Sequence, residues 1–194
     1  MSAPLAFLSL LAELLFGYPD RLVKRIGHPV IWIGAVISRL DATLNRPDAA
    51  FETRRAAGVL ALALIVLPLA VAGWALERAL ASTTLGLVVL AVLASSLIAQ
   101  RSLASHVKAV ADALDSQGLA GGRKAVSMIV GRDPDKLVEP AVCRAAIESL
   151  AENFSDGIVA PTFWLCAAGL GGGLAYKAAN TADSMIGHRT PRHA

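Results

Sequence analysis

The chain has 194 residues, of which 55% are hydrophobic and only 17% charged, and its mean hydropathy is +0.57. Soluble domains usually have about 45–50% apolar and about 25% charged residues, so this composition excludes an ordinary soluble domain and indicates a helical membrane protein. The net charge of +3 comes without interleaved basic and aromatic residues, so we do not expect nucleic-acid binding.

The N-terminal part of the chain predicts two membrane-associated helices. Residues 3–16 are apolar except for Glu13 and lack a basic leader and a cleavage site, which favours a retained membrane helix over a signal peptide. Residues 28–45 place apolar side chains on one helical face, with Arg39 and Asp41 on the other. This pattern predicts an amphipathic helix at the membrane interface.

Two charge-free stretches follow, residues 56–76 and 79–99. Each is close to the roughly 20 residues that a helix needs to cross a bilayer. Only Glu77 and Arg78 separate them, so the pattern predicts a tight transmembrane hairpin that turns at these two residues.

Lys and Arg are concentrated on both sides of this hairpin, in residues 17–55 and 100–156. The positive-inside rule therefore predicts that both segments face the cytoplasm. The apolar spacing within residues 100–156 indicates a cytosolic helical segment, with a helix end near Gly118.

The last long charge-free stretch, residues 157–176, has two interpretations. Its length is sufficient for a membrane span, but the sequence GLGGG at residues 169–173 is a strong helix breaker. We favour a re-entrant helical hairpin, because it would bring the polar residues on both flanks to one side of the membrane. The sequence as a whole predicts an all-α, polytopic integral membrane protein with a single membrane domain, residues 1–194.

The first polar cluster precedes this stretch. Glu148, Glu152 and Asp156 are spaced i, i+4, i+8 and share one face of an α-helix. Like charges at this spacing disfavour a helix by a few tenths of a kcal/mol per pair, so stability does not explain them. A divalent cation, a cationic substrate or a proton-transfer role would explain them. The alternative is that the three carboxylates simply form a solvated face of the helix and make ion pairs with Arg144 and Lys177.

A second polar cluster follows the glycines. Its mixture of amide, carboxylate, hydroxyl, imidazole and guanidinium groups suits the binding of an anionic substrate and Mg²⁺. The alternative is a polar helix cap that anchors the chain at the membrane surface. The members of this cluster are Lys177, Asn180, Asp183, Ser184, His188 and Arg189.

Five blocks of sequence closely resemble the CobD/CbiB family of cobalamin biosynthesis, and they keep the family's order over most of residues 13–192. The most specific motifs are ESLAENFSDG and NTADSMIGHR. The resemblance implies a multi-pass enzyme of the bacterial inner membrane, adenosylcobinamide-phosphate synthase, with its site facing the cytoplasm. The blocks are GHPVIWIG (27–34), AQRSLASHVKAVADAL (99–114), AVSMIVGRD (125–133), RAAIESLAENFSDGIVAP (144–161) and AYKAANTADSMIGHRTPR (175–192).

The resemblance also implies a reaction and its residues. Aminopropanol or its O-phosphate is joined as an amide to the f propionate of adenosylcobyric acid with ATP hydrolysis, although the sequence has no recognisable nucleotide-binding motif. The family's motif positions here are Glu148, Glu152, Asn153, Ser155, Asp156, Asn180, Asp183, Ser184, His188 and Arg189, with His28 and Arg101 as outlying candidates. From the chemistry of amide formation we infer that Glu148, Glu152, Asp156 and Asp183 are catalytic, with Glu152 taking the ammonium proton and Asp156 and Asp183 holding Mg²⁺. The predicted substrate-binding residues are Asn153, Ser155, Asn180, Ser184, His188 and Arg189, together with Lys177 and Arg132 as further candidates for binding phosphate.

The expected partners are the corrinoid, the amine, the lipid bilayer and other membrane enzymes of cobalamin assembly. Members of the family continue past the end of this sequence, so we expect a chain that is truncated at its C-terminus. Three alternatives follow: a non-enzymatic membrane scaffold, a transporter subunit, or an inactive fragment of the enzyme. A transporter is disfavoured because its polar residues would lie within the spans, whereas here they border them.

Overall fold

The computed structural model describes residues 2–130, 134–188, 190 and 192–193, apart from the side chains of Asp20 and Pro134. The described residues are helical and include no strand, which confirms the predicted all-α class. The α-helices are α1 (Ser2–Phe16), α2 (Asp20–Ile26), α3 (Pro29–Leu44), α4 (Phe51–Leu80), α5 (Thr84–Ser95), α6 (Gln100–Val126), α7 (Glu139–Phe154) and α8 (Ala160–Ile186). A 3₁₀ turn spans Pro134–Lys136, and a π-helix spans Ser155–Val159.

The helices are divided between two compact units. The first unit comprises Met1–Ile98 and Ala160–Ala194, and therefore contains α1 to α5 and α8. The second unit is Ala99–Val159, and it contains α6, α7 and the π-helix.

Three helical runs are long and apolar enough to cross a membrane: Phe51–Leu80, Thr84–Val126 and Glu139–Ile186. The helix α1 has 15 residues, fewer than the roughly 20 that a single span needs. Many large apolar side chains of α4 and α5 are exposed, as expected for surfaces that face lipid. The length, hydropathy and exposure of these helices support a membrane protein.

The turn between α4 and α5 lies later than predicted. Glu77 and Arg78 belong to the last turns of α4, and the chain reverses at residues 81–83. Thr83 begins α5 as its N-cap, because its Oγ1 accepts a hydrogen bond from the Gly86 N–H at 3.0 Å. The predicted position of the turn is therefore wrong.

The core of the first unit depends on close packing between α4 and α8. A Cβ atom added to Gly73 would lie 2.8 Å from the backbone nitrogen of Gly171, and one added to Gly171 would lie 2.6 Å from the carbonyl oxygen of Ala70. Glycine at both positions therefore lets the two backbones approach one another. The helix α3 completes the core through a cluster of buried residues: Ile33, Ile37, Ile65, Ala178 and Ala182.

The helix α8 is interrupted at Ala168 and Gly169, as the GLGGG sequence predicts. Gly169 has φ +65° and ψ −157°, a conformation that is essentially restricted to glycine. Helical geometry resumes directly afterwards and continues to Ile186. The break is confirmed, and the re-entrant hairpin that we inferred from it stays a prediction.

The second unit packs α6 against α7. The helix α6 is broken at Gly118, which has φ +63° and ψ −157°, so the predicted helix end is confirmed. Buried residues of both helices form its core: Val110, Val126, Val142, Ala145 and Ala146. Arg123 of α6 fixes the connection to α7, because its Nε donates a hydrogen bond to the carbonyl oxygen of Leu137 at 2.7 Å.

The two cysteines, Cys143 and Cys166, are free, and both side chains are exposed.

Candidate functional site

The first polar cluster lies where α7 changes into the π-helix. Glu148 and Glu152 are exposed on α7, whereas Ser155 and Asp156 belong to the π-helix. Because a π-helix bonds residue i to i+5, Asp156 does not continue the regular α-helical stack that the i, i+4, i+8 spacing predicts. The expectation of one uninterrupted α-helical face is therefore corrected. Short π-helices occur frequently at functional sites, which strengthens the case for this segment.

Asn153 is held in this cluster by its neighbours. Its Nδ2 donates hydrogen bonds to the carbonyl oxygen of Ser149 at 2.8 Å and to the Ser149 hydroxyl at 3.2 Å. That hydroxyl in turn donates to the carbonyl oxygen of Ile129 at 2.8 Å. Ser149 therefore orients the amide of Asn153, and its hydroxyl also joins α7 to the AVSMIV segment (residues 125–130) through the hydrogen bond to Ile129.

The π-helix also contacts the start of α6. The Ala99 N–H donates a hydrogen bond to the carbonyl oxygen of Gly157 at 3.0 Å. Arg101 follows two residues later in the first turn of α6 and is exposed. The structure therefore places this outlying candidate near the segment that carries Ser155 and Asp156.

The second polar cluster lies on the part of α8 that follows its break. Lys177 and Asn180 are partly buried, while Asp183, Ser184 and His188 are exposed. The hydroxyl of Ser184 donates a hydrogen bond to the carbonyl oxygen of Asn180 at 3.0 Å. Lys177, Asn180, Asp183 and Ser184 lie in the last turns of α8, whereas His188 lies two residues beyond the end of the helix, so the spacing of these residues does not place His188 on the same helical face.

The structure adds His28 to this second cluster. His28 is the N-cap of α3, where its Nδ1 accepts a hydrogen bond from the Val30 N–H at 3.2 Å and its ring meets the edge of Tyr18. Burial of the half-buried ring, together with the positive charge of Lys177, lowers the pKa of His28 below its ordinary value. The neutral imidazole is therefore favoured near neutral pH, which is the form that accepts a proton.

The two polar clusters belong to different units, and each is described within its own unit. Their convergence into one pocket stays a prediction. Arg132 and Arg189, which we predicted to bind substrate, lie outside the described residues.

The two carboxylates assigned to Mg²⁺ lie in different units. Asp156 is partly buried and Asp183 is exposed. Within residues 2–130, 134–188, 190 and 192–193, no group of three or more His, Cys, Asp or Glu residues is placed to hold a metal ion. Mg²⁺ is commonly bound by one or two carboxylates together with substrate phosphates and water. Each carboxylate, taken within its own unit, is therefore the type of donor that a phosphate-assisted site uses.

One polar contact was not predicted from the sequence. The carboxylate of Glu77, in α4, accepts a hydrogen bond from the Leu170 N–H at 2.8 Å, directly after the break in α8. A helix N-terminus carries partial positive charge, so the carboxylate stabilises the start of the second half of α8. The two residues are 93 positions apart, and the only sequence signal of such a partner is the pair of charges, Glu77 and Arg78, between two apolar segments.

A second unpredicted cluster surrounds Asp41. Its carboxylate accepts hydrogen bonds from Asn45 Nδ2 at 2.9 Å and Arg192 Nε at 2.8 Å, and it lies 3.2 Å from His193 Nε2. Burial alone would raise the pKa of Asp41, but these hydrogen bonds and the charge of Arg192 outweigh it and lower the pKa. Only the i, i+4 spacing of Asp41 and Asn45 is visible in the sequence.

The fold and these clusters define an all-helical protein with three potential membrane spans and ionisable groups at their borders. The sequence profile of the CobD/Cbib protein family matches residues 6–194, and the chain belongs to this family. No solved structure gives a significant match.

Relatives in several bacteria carry the name Cobalamin biosynthesis protein CobD. The chain is 54% identical to the one from a Sinorhizobium species, over 96% of this chain and 58% of the relative. It is 49% identical to the Rhizobium meliloti protein, over 96% of this chain and 57% of the relative. It is 51% identical to a Rhodobacter capsulatus protein, over 93% of this chain and 57% of the relative. The chain thus spans somewhat more than half the length of these relatives.

Proposed function

We propose that the chain acts in cobalamin biosynthesis, in the formation of the amide between the f propionate of adenosylcobyric acid and aminopropanol or its O-phosphate. The observation that carries this proposal is the family match over residues 6–194. Relatives named for cobalamin biosynthesis, to which the chain is about 50% identical in sequence, support it. Apart from Lys177, the members of the two polar clusters lie within the two most specific motifs of the resemblance, ESLAENFSDG and NTADSMIGHR.

The reaction makes defined demands on the side chains. A carboxylate and an ammonium group do not condense unaided, so the amine must lose a proton and the carboxylate must gain a leaving group. ATP, when bound with Mg²⁺, would supply the phosphoryl group that becomes this leaving group and departs as phosphate. Glu152 is the candidate that accepts the ammonium proton, and the neutral imidazole of His28 is a second candidate.

The remaining groups would position the anionic parts of the reactants. Asp156 and Asp183 would hold Mg²⁺ through their carboxylate oxygens, and the partly buried ammonium of Lys177 would bind phosphate as a point charge. Asn153 and Asn180 would orient the substrates by hydrogen bonds.

The proposal requires both clusters to face the same compartment. Cysteine labelling tests this requirement with Ser155→Cys and Ser184→Cys, each in a chain whose exposed Cys143 and Cys166 are replaced by Ala. In inverted and right-side-out vesicles, a membrane-impermeant maleimide should label both positions from the cytoplasmic side. Labelling from opposite sides would exclude a shared pocket.

The reaction itself is tested by complementation of a bacterial strain that lacks this amidation step. We expect growth on the corrinoid precursor when the strain carries this sequence extended to the length of its relatives. Growth of the same strain with the 194-residue chain is measured in parallel. A purified extended protein that forms no amide from adenosylcobyric acid and either amine would contradict the proposal.

A further inference from the structure

A groove in the first unit lies outside both polar clusters. It has a volume of about 350 Å³, and its walls come from α3, α4 and the end of α8. On α4 the lining residues recur from Phe51 to Ile65, a distance of roughly 20 Å along a helix that is long and apolar enough to cross a membrane. The apolar lining residues are Ile37, Leu40, Leu44, Phe51, Leu62 and Ile65, with small residues between them. The groove is therefore apolar over most of its length and parallel to a potential span.

One end of this groove is polar and basic. Arg54 and Arg55 line it within the first turns of α4. The Nε of Arg54 donates to Asn45 Oδ1 at 3.1 Å, and its Nη2 contacts the carbonyl oxygen of Arg192. These contacts use two of the five N–H donors of the guanidinium group, so the fixed side chain can still donate to an anion.

The acidic group at this end is already neutralised. Asp41 is the carboxylate that lines the groove, and Arg192 Nη2 lies 2.8 Å from it and His193 Nε2 3.2 Å from it. The charges of Arg54 and Arg55 are therefore in excess over the acidic lining. A ligand of matching chemistry has an anionic head at the arginines and a hydrocarbon tail along α4.

We propose that this groove binds one anionic phospholipid, with an acyl chain between α3 and α4 and the phosphate at Arg54 and Arg55. The geometry matches the membrane itself, because a basic end beside a potential span lies at the depth of lipid headgroups. A zwitterionic lipid carries a choline cation that would meet the same arginines, so the groove should discriminate by headgroup. The proposal is independent of the function proposed above.

Gly58 provides a way to fill the groove without disturbing its walls. It lines the groove, and a Cβ atom added to it would have no protein atom within 4 Å. In Gly58→Leu the new side chain should therefore occupy the space of the acyl chain. The charge-removing counterpart is the double variant Arg54→Gln/Arg55→Gln, and the control is Arg78→Gln at the opposite end of the same helix.

Native mass spectrometry of the 194-residue chain released from nanodiscs tests the proposal. In nanodiscs with equal phosphatidylglycerol and phosphatidylcholine, we expect one retained phosphatidylglycerol, preferred at least fivefold over phosphatidylcholine. The double arginine variant should lose this preference, Gly58→Leu should lose the retained lipid, and Arg78→Gln should behave as the wild type. Thermal unfolding in detergent verifies that each variant is folded.

Three outcomes would overturn the proposal. Equal retention of both lipids by the wild type would remove the headgroup selectivity, and unchanged retention in Gly58→Leu would place the lipid elsewhere. Stabilisation of the detergent-solubilised protein by glycerol 3-phosphate to the same extent as by phosphatidylglycerol would identify a free-phosphate site without a place for the acyl chain.

Discussion

At the scale of single residues, the environment of His28 couples folding to pH. Its pKa is lowered in the folded chain by burial and by the charge of Lys177. As the pH falls through about 6.5, the unfolded chain therefore binds more protons than the folded chain does. The His28 ring therefore leaves the free energy of unfolding unchanged above that pH and lowers it below that pH. We expect the thermal-unfolding midpoint in detergent to decrease between pH 7.5 and 5.5.

The variant His28→Asn separates titration from capping. Asparagine is a favourable N-cap residue but does not titrate, so this variant should keep α3 and flatten the pH dependence of unfolding between pH 7.5 and 5.5. If the pH dependence of unfolding is unchanged in His28→Asn, a titratable group other than His28 causes it.

Glu77 offers a second prediction at this scale. In Glu77→Ala the Leu170 N–H loses its acceptor, and a buried donor without a partner costs about 1–3 kcal/mol. Glu77→Gln retains an acceptor oxygen and should lose less stability. Unfolding of both variants in mixed detergent micelles with increasing dodecyl sulfate measures the difference, and equal stability of the two would mean that the hydrogen bond contributes little.

At the scale of helices, two glycines provide a matched comparison. Gly118 and Gly169 have almost the same backbone angles, which cost a side-chain-bearing residue about 1–3 kcal/mol. A Cβ atom on Gly118 would have no neighbour within 4 Å, whereas one on Gly169 would lie 2.0 Å from Glu77 Oε2. We therefore expect Gly169→Ala to lower the free energy of unfolding more than Gly118→Ala, and equal losses would contradict a clash at Glu77.

The helix breaks were predictable from sequence, whereas the end of α4 was not. Glycine alone tolerates the conformation at positions 118 and 169, so its presence in an otherwise helical pattern was informative. The turn was placed at Glu77 because a charge was assumed to end an apolar helix. The helix continues because this carboxylate has a partner on α8, and such a distant contact leaves no periodic signal.

The local geometry around the candidate site residues was predictable only in part. Glu148 and Glu152 lie on one helix, as their spacing predicts, but Asp156 falls in a π-helix. Spacing arguments assume 3.6 residues per turn, and the sequence SDGIV carries no periodic signal of the wider turn. His28 joined the second cluster through tertiary packing of α3 on α8, which no local pattern encodes.

At the scale of the whole molecule, each unit carries one of the two carboxylates that we propose as Mg²⁺ ligands. Asp156→Asn and Asp183→Asn should each reduce amide formation by at least a hundredfold, because Mg²⁺ binding loses a charged ligand, while the amount of protein in the membrane is unchanged. The assay is amide formation by the purified protein extended to the length of its relatives.

Asp112→Asn is the matched control for these variants, because the side chain of Asp112 forms an exposed ion pair with Lys108 and its replacement should be nearly neutral. A non-enzymatic scaffold would instead tolerate Asp156→Asn and Asp183→Asn as well as the control.

The contact between Gly73 and Gly171 has a consequence for how the first unit is held together in a bilayer. Hydrophobic burial gives little drive for helix association where the surroundings are themselves hydrocarbon, so dispersion forces between closely apposed main chains supply it together with interhelical hydrogen bonds such as that between Glu77 and Leu170. The shortest of these approaches, near the Ala70 carbonyl, also suits a weak Cα–H···O interaction. The α4–α8 pair should consequently persist when lipid replaces water, and it should separate only when bulk is inserted between its two glycines.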